Sequence, residues 1–456
     1  MPTKKLYANF KDTCITTSLF QARIRAVLPI LFAQLATLLH STMQKLSSKI
    51  TKLTFDMAEL GSDAWLKADD FDEDDDLHIR ATTFFEAVKW DHVISIASKL
   101  KGADCELSEK YSIGYYNLVR RLTFTDGTSW IVRLRLPPLS TVFGTREVMK
   151  GTDCMAIEVA TMNYLKLNTK LPIPEVFGHD LTSENAVGAP YIFMSYIHGT
   201  VANDLQSARG CDLGMFGTPE QNDRFWRQMA EYHVQLASIT FDKIGSLHQN
   251  GDNFFIGPEI ETGQGSWTTP EEYYTALINH RMEVAENDAE PEVKDSKNFS
   301  FPSRLKESMH RLQTPDLTRF GLANRDFGAH NVLVDDEFNI VGFIDFDGVM
   351  AAPPASVAQL PIFTDVWRPI PGHVETRELA VARMQKTAHL LPQYVELIRA
   401  AAAKYEPEAG NSDASRLADD IVSGSASLVQ GLDEFGQHCD PVNERWSTAF
   451  DLLLKS

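Results

Sequence analysis

Asp326, Asn331 and Asp345 are the residues whose types and spacing could do chemistry in this chain. They lie in NRDFGAHNVLVDDEFNIVGFIDFDG, residues 324 to 348. Two apolar runs, Val332-Leu333-Val334 and Ile340-Val341-Gly342-Phe343-Ile344, flank the polar stretch Asp335-Asp336-Glu337-Phe338-Asn339. That pattern predicts a β-hairpin with a short loop. In an antiparallel pair, the residue entering the first strand lies beside the residue leaving the second. Asn331 and Asp345 therefore meet at the open end of the hairpin, with Asp326 on the loop just before it. Three oxygen-bearing side chains converging there suit a hard cation such as Mg²⁺.

Phosphoryl transfer is a chemistry this group permits, since it needs positioning and charge neutralisation more than covalent catalysis. Asp326 can be the base at an acceptor hydroxyl, and Asn331 and Asp345 can hold the metal. A cation must also reach the nucleotide phosphates. Residues 118 to 124 and 129 to 136 predict two strands joined at an Asp126-Gly127 turn. On the second, Trp130, Val132, Leu134 and Leu136 share one face, and Ile131, Arg133 and Arg135 the other. Two arginines on one face of a central strand need an anionic partner unless that face is solvated. Either Arg133 or Arg135 can serve as the phosphate clamp. Glu158 could hold that arginine by a paired charge.

The elements that must position these residues are legible in outline. Residues 84 to 100 carry apolar side chains at helical spacing and predict an opening helix. A second helix is predicted over residues 152 to 167, with Met155, Val159, Met162 and Leu165 as its apolar stripe. Residues 190 to 199 read as a buried strand running into a turn at Gly199. Beyond it the pattern is mainly helical: Phe225, Met229, Tyr232, Leu236 and Ile239 step by fours and threes. Residues 377 to 405 and 413 to 454 continue in that manner. His233, Trp226 and Met229 are expected to be core residues, and His330 to be a packing residue able to hydrogen-bond the loop.

The Asp326-x-x-x-x-Asn331 segment followed by Ile344-Asp345-Phe346-Asp347 resembles the catalytic segment of the aminoglycoside phosphotransferase family, including its fungal-type members. That family shares the protein-kinase-like fold with choline kinases. The resemblance runs from about residue 105 to residue 352. It implies an α+β, bilobal fold with a small five-stranded antiparallel lobe, a larger helical lobe, and Mg-ATP between them. The corresponding organisation is a leader and acidic linker over 1–83, a nucleotide-binding lobe over 84–197, and a helical lobe over 198–456. Residues 193 to 197 would form the interlobe hinge whose backbone binds adenine, with Ser195 and Ile197 among its nucleotide contacts. The loop 112–117, with Gly114, would cover the phosphates.

Three positions depart from the family pattern. Asn324 stands where a histidine is frequent, an arginine occupies the strand position usually given to lysine, and Asp-Phe-Asp replaces the Asp-Phe-Gly of protein kinases. Arg133 aligns with the lysine strand position and Arg135 is the second candidate; arginine presents a fork rather than a point charge. Asp347 could be structural or could touch metal or substrate. A protein kinase is disfavoured, because Ala351-Ala352-Pro353-Pro354 matches the Ala-Pro-Glu activation-segment signature poorly. The expected activity is ATP-dependent transfer to a small-molecule hydroxyl; the alternative is a pseudokinase, a nucleotide-binding or interaction module without transfer.

Composition narrows the partners. The net charge of −19 argues against a general nucleic-acid-binding surface and favours a cationic acceptor. The acidic run over residues 69 to 76 reads as a solvated linker. Cys14, Cys105, Cys154, Cys211 and Cys439 are isolated, with no zinc or disulfide spacing, which fits a reducing compartment. The apolar stretch over 26–39 is too short for a stable membrane span. Residues 1 to 55 hold eight lysines and arginines and one acid, Asp12. A cytoplasmic enzyme is the expectation, with a mitochondrial presequence as the alternative and an internal start at Met43 or Met57 as a third.

Overall fold

Lys89 shows how tertiary contacts reshape the start of the chain. The sequence predicts one helix over 84–100, but the computed structural model has two, α1 (Asp76–Ala87) and α2 (Trp90–Lys101). The Lys89 N–H donates to the Val187 carbonyl at 3.0 Å instead of continuing the helix. The Trp90 indole N–H donates to the Phe85 carbonyl at 2.9 Å and so closes the end of α1. Helix α1 begins inside the segment assigned to the leader and linker. The structure describes residues 65, 76–114, 116–137, 149, 151–288, 299–312, 317–346, 348–370, 378–409, 412–438 and 451–454. The basic leader, the run 69–75, Tyr115, Asp347, Cys14 and Cys439 lie outside the described residues.

The first lobe is the expected five-stranded antiparallel sheet. Its strands are β1 (Cys105–Ile113), β2 (Asn117–Phe124), β3 (Ser129–Arg135), β4 (Val176–Asp180) and β5 (Tyr191–Ser195), in the order β1-β2-β3-β5-β4. Phe124 N–H donates to Thr128 at 2.9 Å, leaving a three-residue β2–β3 loop that ends on Gly127 at φ +82°. Glycine meets that left-handed conformation without a Cβ penalty. Trp130, Val132, Leu134 and Leu136 are all buried, as alternation predicts, and Trp130 stacks on Phe177 at 4.2 Å.

Helix α3 (Gly151–Asn168) carries Glu158 and is buried on two sides. Met155, Val159, Met162 and Leu165 enter the main core, as expected from their spacing. Cys154 and Ile157 pack instead on Ile260 of the second lobe.

After β5 come β6 (Thr200–Val201), α4 (Ala202–Ala208) and α5 (Pro219–Ser238). Helix α5 opens with a capping box: Gln221 N–H donates to the Thr218 hydroxyl, and Thr218 N–H to the Gln221 side chain at 2.8 Å. Its buried face includes Phe225, Trp226, Met229, Tyr232 and His233. Then follow β7 (Thr240–Phe241), β8 (Gly245–Asn250), β9 (Asn253–Gly257), α6 (Pro270–Asp288), α7 (Phe301–Glu307), β10 (Phe320–Asn324), β11 (Val332–Val334), β12 (Ile340–Phe343), β13 (Val349–Ala352) and α8 (Pro354–Val357). The tail supplies α9 (Glu378–Thr387), α10 (Leu390–Ala409), α11 (Ser412–Ile421) and α12 (Gly424–His438). The tail segment read over 377–405 is thus two helices, and that read over 413–454 is interrupted between Ile421 and Gly424. The mainly helical lobe also holds a second five-stranded sheet, β7-β10-β13-β8-β9, and a small sheet, β12-β11-β6. Among the described residues, no helix is long and apolar enough to cross a membrane.

Candidate functional site

The hairpin forms as its sequence pattern requires. Val332 pairs with Phe343 and Leu333 with Gly342, and Ile344 N–H donates to the Asn331 carbonyl at 3.0 Å. That bond fixes Asn331 beside the residue preceding Asp345. At the far end, Asp335 accepts from the N–H groups of Glu337 and Asn339, both at 2.9 Å. Phe338 turns inward there, fully buried at φ +53°, near Phe216. The hairpin is therefore anchored in the core at its tip and presents its polar residues at its base.

Asp326 is held from three directions. Asn331 Nδ2 donates to its Oδ2 at 2.8 Å and to its carbonyl at 3.1 Å. His330 Nε2 lies 3.1 Å from Oδ1. Asn324 Oδ1 accepts from the Asp326 N–H at 3.0 Å, an Asx turn within the loop. Asn324 Nδ2 in turn donates to the buried Tyr232 hydroxyl at 3.3 Å. Tyr232 stacks on Phe343 at 3.8 Å and lies 5.2 Å from Phe327. The residue that departs from the family pattern thus ties the catalytic-type loop to α5.

Arg133 reaches across from the first lobe. It is buried, forms a close ion pair with Glu158, and donates through Nη2 to Asp345 Oδ1 at 3.2 Å. The Asn117 amide, with its oxygen toward the guanidinium, accepts from Arg133 Nη2 and Nε at 2.5 and 3.0 Å. Burial raises the Glu158 carboxyl pKa, and the Arg133 guanidinium opposes that rise. Asp345 sits at φ +64°, a strained conformation for a non-glycine residue, with its side chain one-third exposed. Arg135 takes a different course: its guanidinium lies 4.7 Å over the Tyr116 ring and against Gly151 at the start of α3.

The remaining expected residues have structural contacts. Gly114 N–H donates to the Asn117 carbonyl at 2.8 Å. Ser195 Oγ accepts from the Glu175 N–H at 2.9 Å. Ile197 packs on Gly342 so closely that a Cβ there would lie 2.7 Å from Ile197 Cδ1. Gly199 is equally tight against Val341. Residues 197–199 and the hairpin are therefore in direct contact, and two glycines permit it. His233 is a buried packing residue, bonded to the Tyr394 hydroxyl at 2.9 Å and the Val357 carbonyl at 2.7 Å. Burial lowers its pKa to about 4.

One charged network has no signature in the sequence. Arg325 Nη1 is 3.2 Å from both Glu259 and Glu261. Glu261 also accepts from Arg281 Nε and Nη2 at 2.6 and 2.9 Å, and Arg281 Nη1 reaches Asp433 at 2.9 Å. Burial alone would lower the Arg281 pKa, but Glu261 and Asp433 hold it above the ordinary value. Ile260, between the two acids, is the residue that packs on α3. The 259–261 loop therefore touches both the helix bearing Glu158 and the arginine preceding Asp326.

The sequence profile of the phosphotransferase enzyme family, APH, matches residues 109–356. A subtelomeric hrmA-associated cluster protein of Aspergillus fumigatus is 32% identical over 165 residues, 34% of this chain and 29% of that protein. The mitochondrial protein named altered inheritance of mitochondria protein 9 of Clavispora lusitaniae is 31% identical over 263 residues, 44% of this chain and 43% of that protein. The matches thus span less than half the length of these relatives. Among solved structures, aminoglycoside phosphotransferase APH(4)-Ia bound to AMP-PNP and hygromycin B is 18% identical, with a TM-score of 0.41, covering 80% of this chain and 97% of that one.

Proposed function

The chain belongs to the phosphotransferase enzyme family, and from that premise we propose that it transfers the γ-phosphoryl group of ATP to a hydroxyl of a small molecule. The observation that carries this reading is the convergence of Asp326 and Asn331 at the base of the hairpin with the cross-lobe group Arg133, Glu158 and Asp345. Asp326, with its side chain 46% exposed, is the base. It takes the acceptor's proton as the acceptor oxygen bonds to the γ-phosphorus and the bridging bond to ADP breaks. Asn331 and His330 hold its carboxylate in one orientation for that step. Arg133 contacts the nucleotide phosphates, kept in place by Glu158 and Asn117. The backbone of residues 193 to 197, with Ser195 and Ile197, meets adenine, and the loop at Gly114 lies over the phosphates.

The donor set fits Mg²⁺. Asn331 uses its amide nitrogen on Asp326, which leaves Oδ1 as a donor, and the Ile344 N–H on the Asn331 carbonyl brings Asp345 to the same end of the hairpin. Among the described residues, no cluster of three or more His, Cys, Asp or Glu could hold a metal. One carboxylate and one carboxamide suit an ion that completes its shell from water and phosphate oxygens. When bound, the ion would neutralise charge developing between the β- and γ-phosphates. The net charge of −19 favours a cationic acceptor, and the names of the yeast relatives raise a mitochondrial location beside a cytoplasmic one.

The test is ADP release from Mg-ATP over amino sugars, aminoalcohols, nucleosides and sugar alcohols. Asp326→Asn should lower acceptor-dependent release by about 100-fold or more while leaving the melting temperature near wild type. Release that persists undiminished in Asp326→Asn removes the assignment. Mg-ATP binding by calorimetry with no product from any acceptor would instead support the pseudokinase alternative.

A further inference from the structure

The segment at residues 359 to 370 runs directly alongside the loop bearing Asp326. Ile362 N–H donates to the Phe327 carbonyl at 2.8 Å, and Ala329 N–H donates to the Ile362 carbonyl at 3.1 Å. Nearly everything else in the segment is anchored inward. The buried Thr364 hydroxyl donates to the Pro361 carbonyl at 2.6 Å. The Asp365 carboxylate accepts from Gly214 N–H at 2.8 Å and Arg383 Nε at 2.6 Å. The buried Arg368 donates to the Ile421 and Ala358 carbonyls at 2.7 and 3.0 Å.

Against that anchoring, Ile362 and Phe363 face outward, 42% and 61% exposed. Phe363 stands at φ +56° and Asp365 at φ +62°. For a bulky residue such as Phe363 a positive φ is an outlier, and such outliers concentrate at ligand sites. The Phe363 ring lies 4.9 Å, edge to face, from the His330 ring, whose Nε2 touches Asp326. One side chain therefore separates this displayed aromatic from the carboxylate assigned as base. An acceptor hydroxyl must come within hydrogen-bond reach of that carboxylate. The body of the acceptor then has Ile362 and Phe363 beside it.

We propose that Ile362 and Phe363 form an apolar platform for the acceptor, selecting an alcohol carried on an aryl or alicyclic ring over a polyhydroxylated one. This inference rests on the phosphotransferase reading of Asp326. Apolar rings gain both area burial and ring–ring contact on such a surface, whereas a polyol would lose hydration there without a hydrogen-bonding partner. The backbone strain at Phe363 is the cost of holding the ring outward.

The experiment compares 2-phenylethanol and cyclohexylmethanol with glycerol as acceptors in ADP release, for wild type, Phe363→Gly and Phe363→Tyr. Wild type should favour the two ring alcohols in kcat/KM. Phe363→Gly should raise the KM for 2-phenylethanol about 3- to 10-fold and erode its preference over glycerol. Glycine accepts the left-handed backbone, so this variant should melt at or above the wild-type temperature. Phe363→Tyr should retain the preference. A wild type that prefers glycerol, or a Phe363→Gly variant with unchanged preference, overturns the platform and leaves phosphoryl transfer standing. A merely structural Phe363 would show a lowered melting temperature with preference unaltered, which also overturns it. Absence of any release above Asp326→Asn with all three alcohols overturns the platform; absence over amino sugars, aminoalcohols and nucleosides as well removes the phosphotransferase reading with it.

Discussion

Replacing Glu261 by Gln tests whether the buried charge network braces the loop that carries Asp326. Glu261 is 6% exposed and accepts two hydrogen bonds from Arg281, at 2.6 and 2.9 Å, with Arg325 at 3.2 Å. A glutamine keeps the volume, but it removes the charge and turns an N–H₂ group toward one of the donors. Removing one partner of a buried ion pair costs about 3–5 kcal/mol, because the remaining charge is stranded. Here Arg281 keeps Asp433 at 2.9 Å and Arg325 keeps Glu259 at 3.2 Å. The loss should therefore fall at the low end, about 3 kcal/mol. For a chain of this size that corresponds to a drop of roughly 3 °C in melting temperature. Calorimetric melts of wild type, Glu261→Gln, Arg281→Met and the double variant measure the loss and the coupling. The two single losses should be non-additive by about 1–3 kcal/mol, since the groups are in contact. A Glu261→Gln melt within a degree of wild type, or strict additivity, would refute the account.

Two further outcomes follow from the geometry. Asn324→Ala removes the acceptor for the Asp326 N–H and leaves the buried Tyr232 hydroxyl without its Asn324 donor. It should cost about 1–3 kcal/mol by denaturant unfolding and lower kcat more than it raises the KM for ATP; unaltered kcat would show that the Asx turn does not orient Asp326. His233 is buried and its pKa falls from an ordinary 6.5 to about 4. The unfolded chain therefore binds more protons than the folded one between those values, so stability is full above pH 6.5 and lost as pH falls toward 4. The loss should approach about 3 kcal/mol. It should be absent from the acid limb of a His233→Gln variant, and an identical acid limb in both proteins would contradict the assignment.

What could be read from the sequence follows a physical rule. The hairpin of β11 and β12 was legible because two short apolar runs around a polar loop admit few other structures, and it carries Asn331 and Asp345 by register alone. The apolar stripe of α3 was legible for the same reason at helical spacing. The choice between Arg133 and Arg135 was not, because alternation puts both on one face. What separates their surroundings is α3, which brings Glu158 to Arg133 and Gly151 to Arg135. Short strands such as β7 and β13 fall below the length at which periodicity distinguishes a strand. Glu259 and Glu261 lie in a polar loop, where charge reads as solvent exposure; only the fold reveals Arg281 and Arg325 opposite them. The helix break at Lys89 depends on a partner remote in sequence, Val187.

The site's contacts also divide by the span of chain they enclose. Asn331 and Asp326 are separated by five residues, and the β11–β12 pairing that places Asp345 is nearly as local. The bond from Arg133 to Asp345 closes a span of 212 residues. Local contacts cost little loop-closure entropy, whereas the long-range one requires both lobes to be in place. The carboxylate end of the site is thus a property of one hairpin and its anchor in the core. The Arg133 end depends on the whole fold, and any perturbation that loosens the lobes against each other should break the Arg133–Asp345 contact before it disturbs the bonds between Asn331 and Asp326.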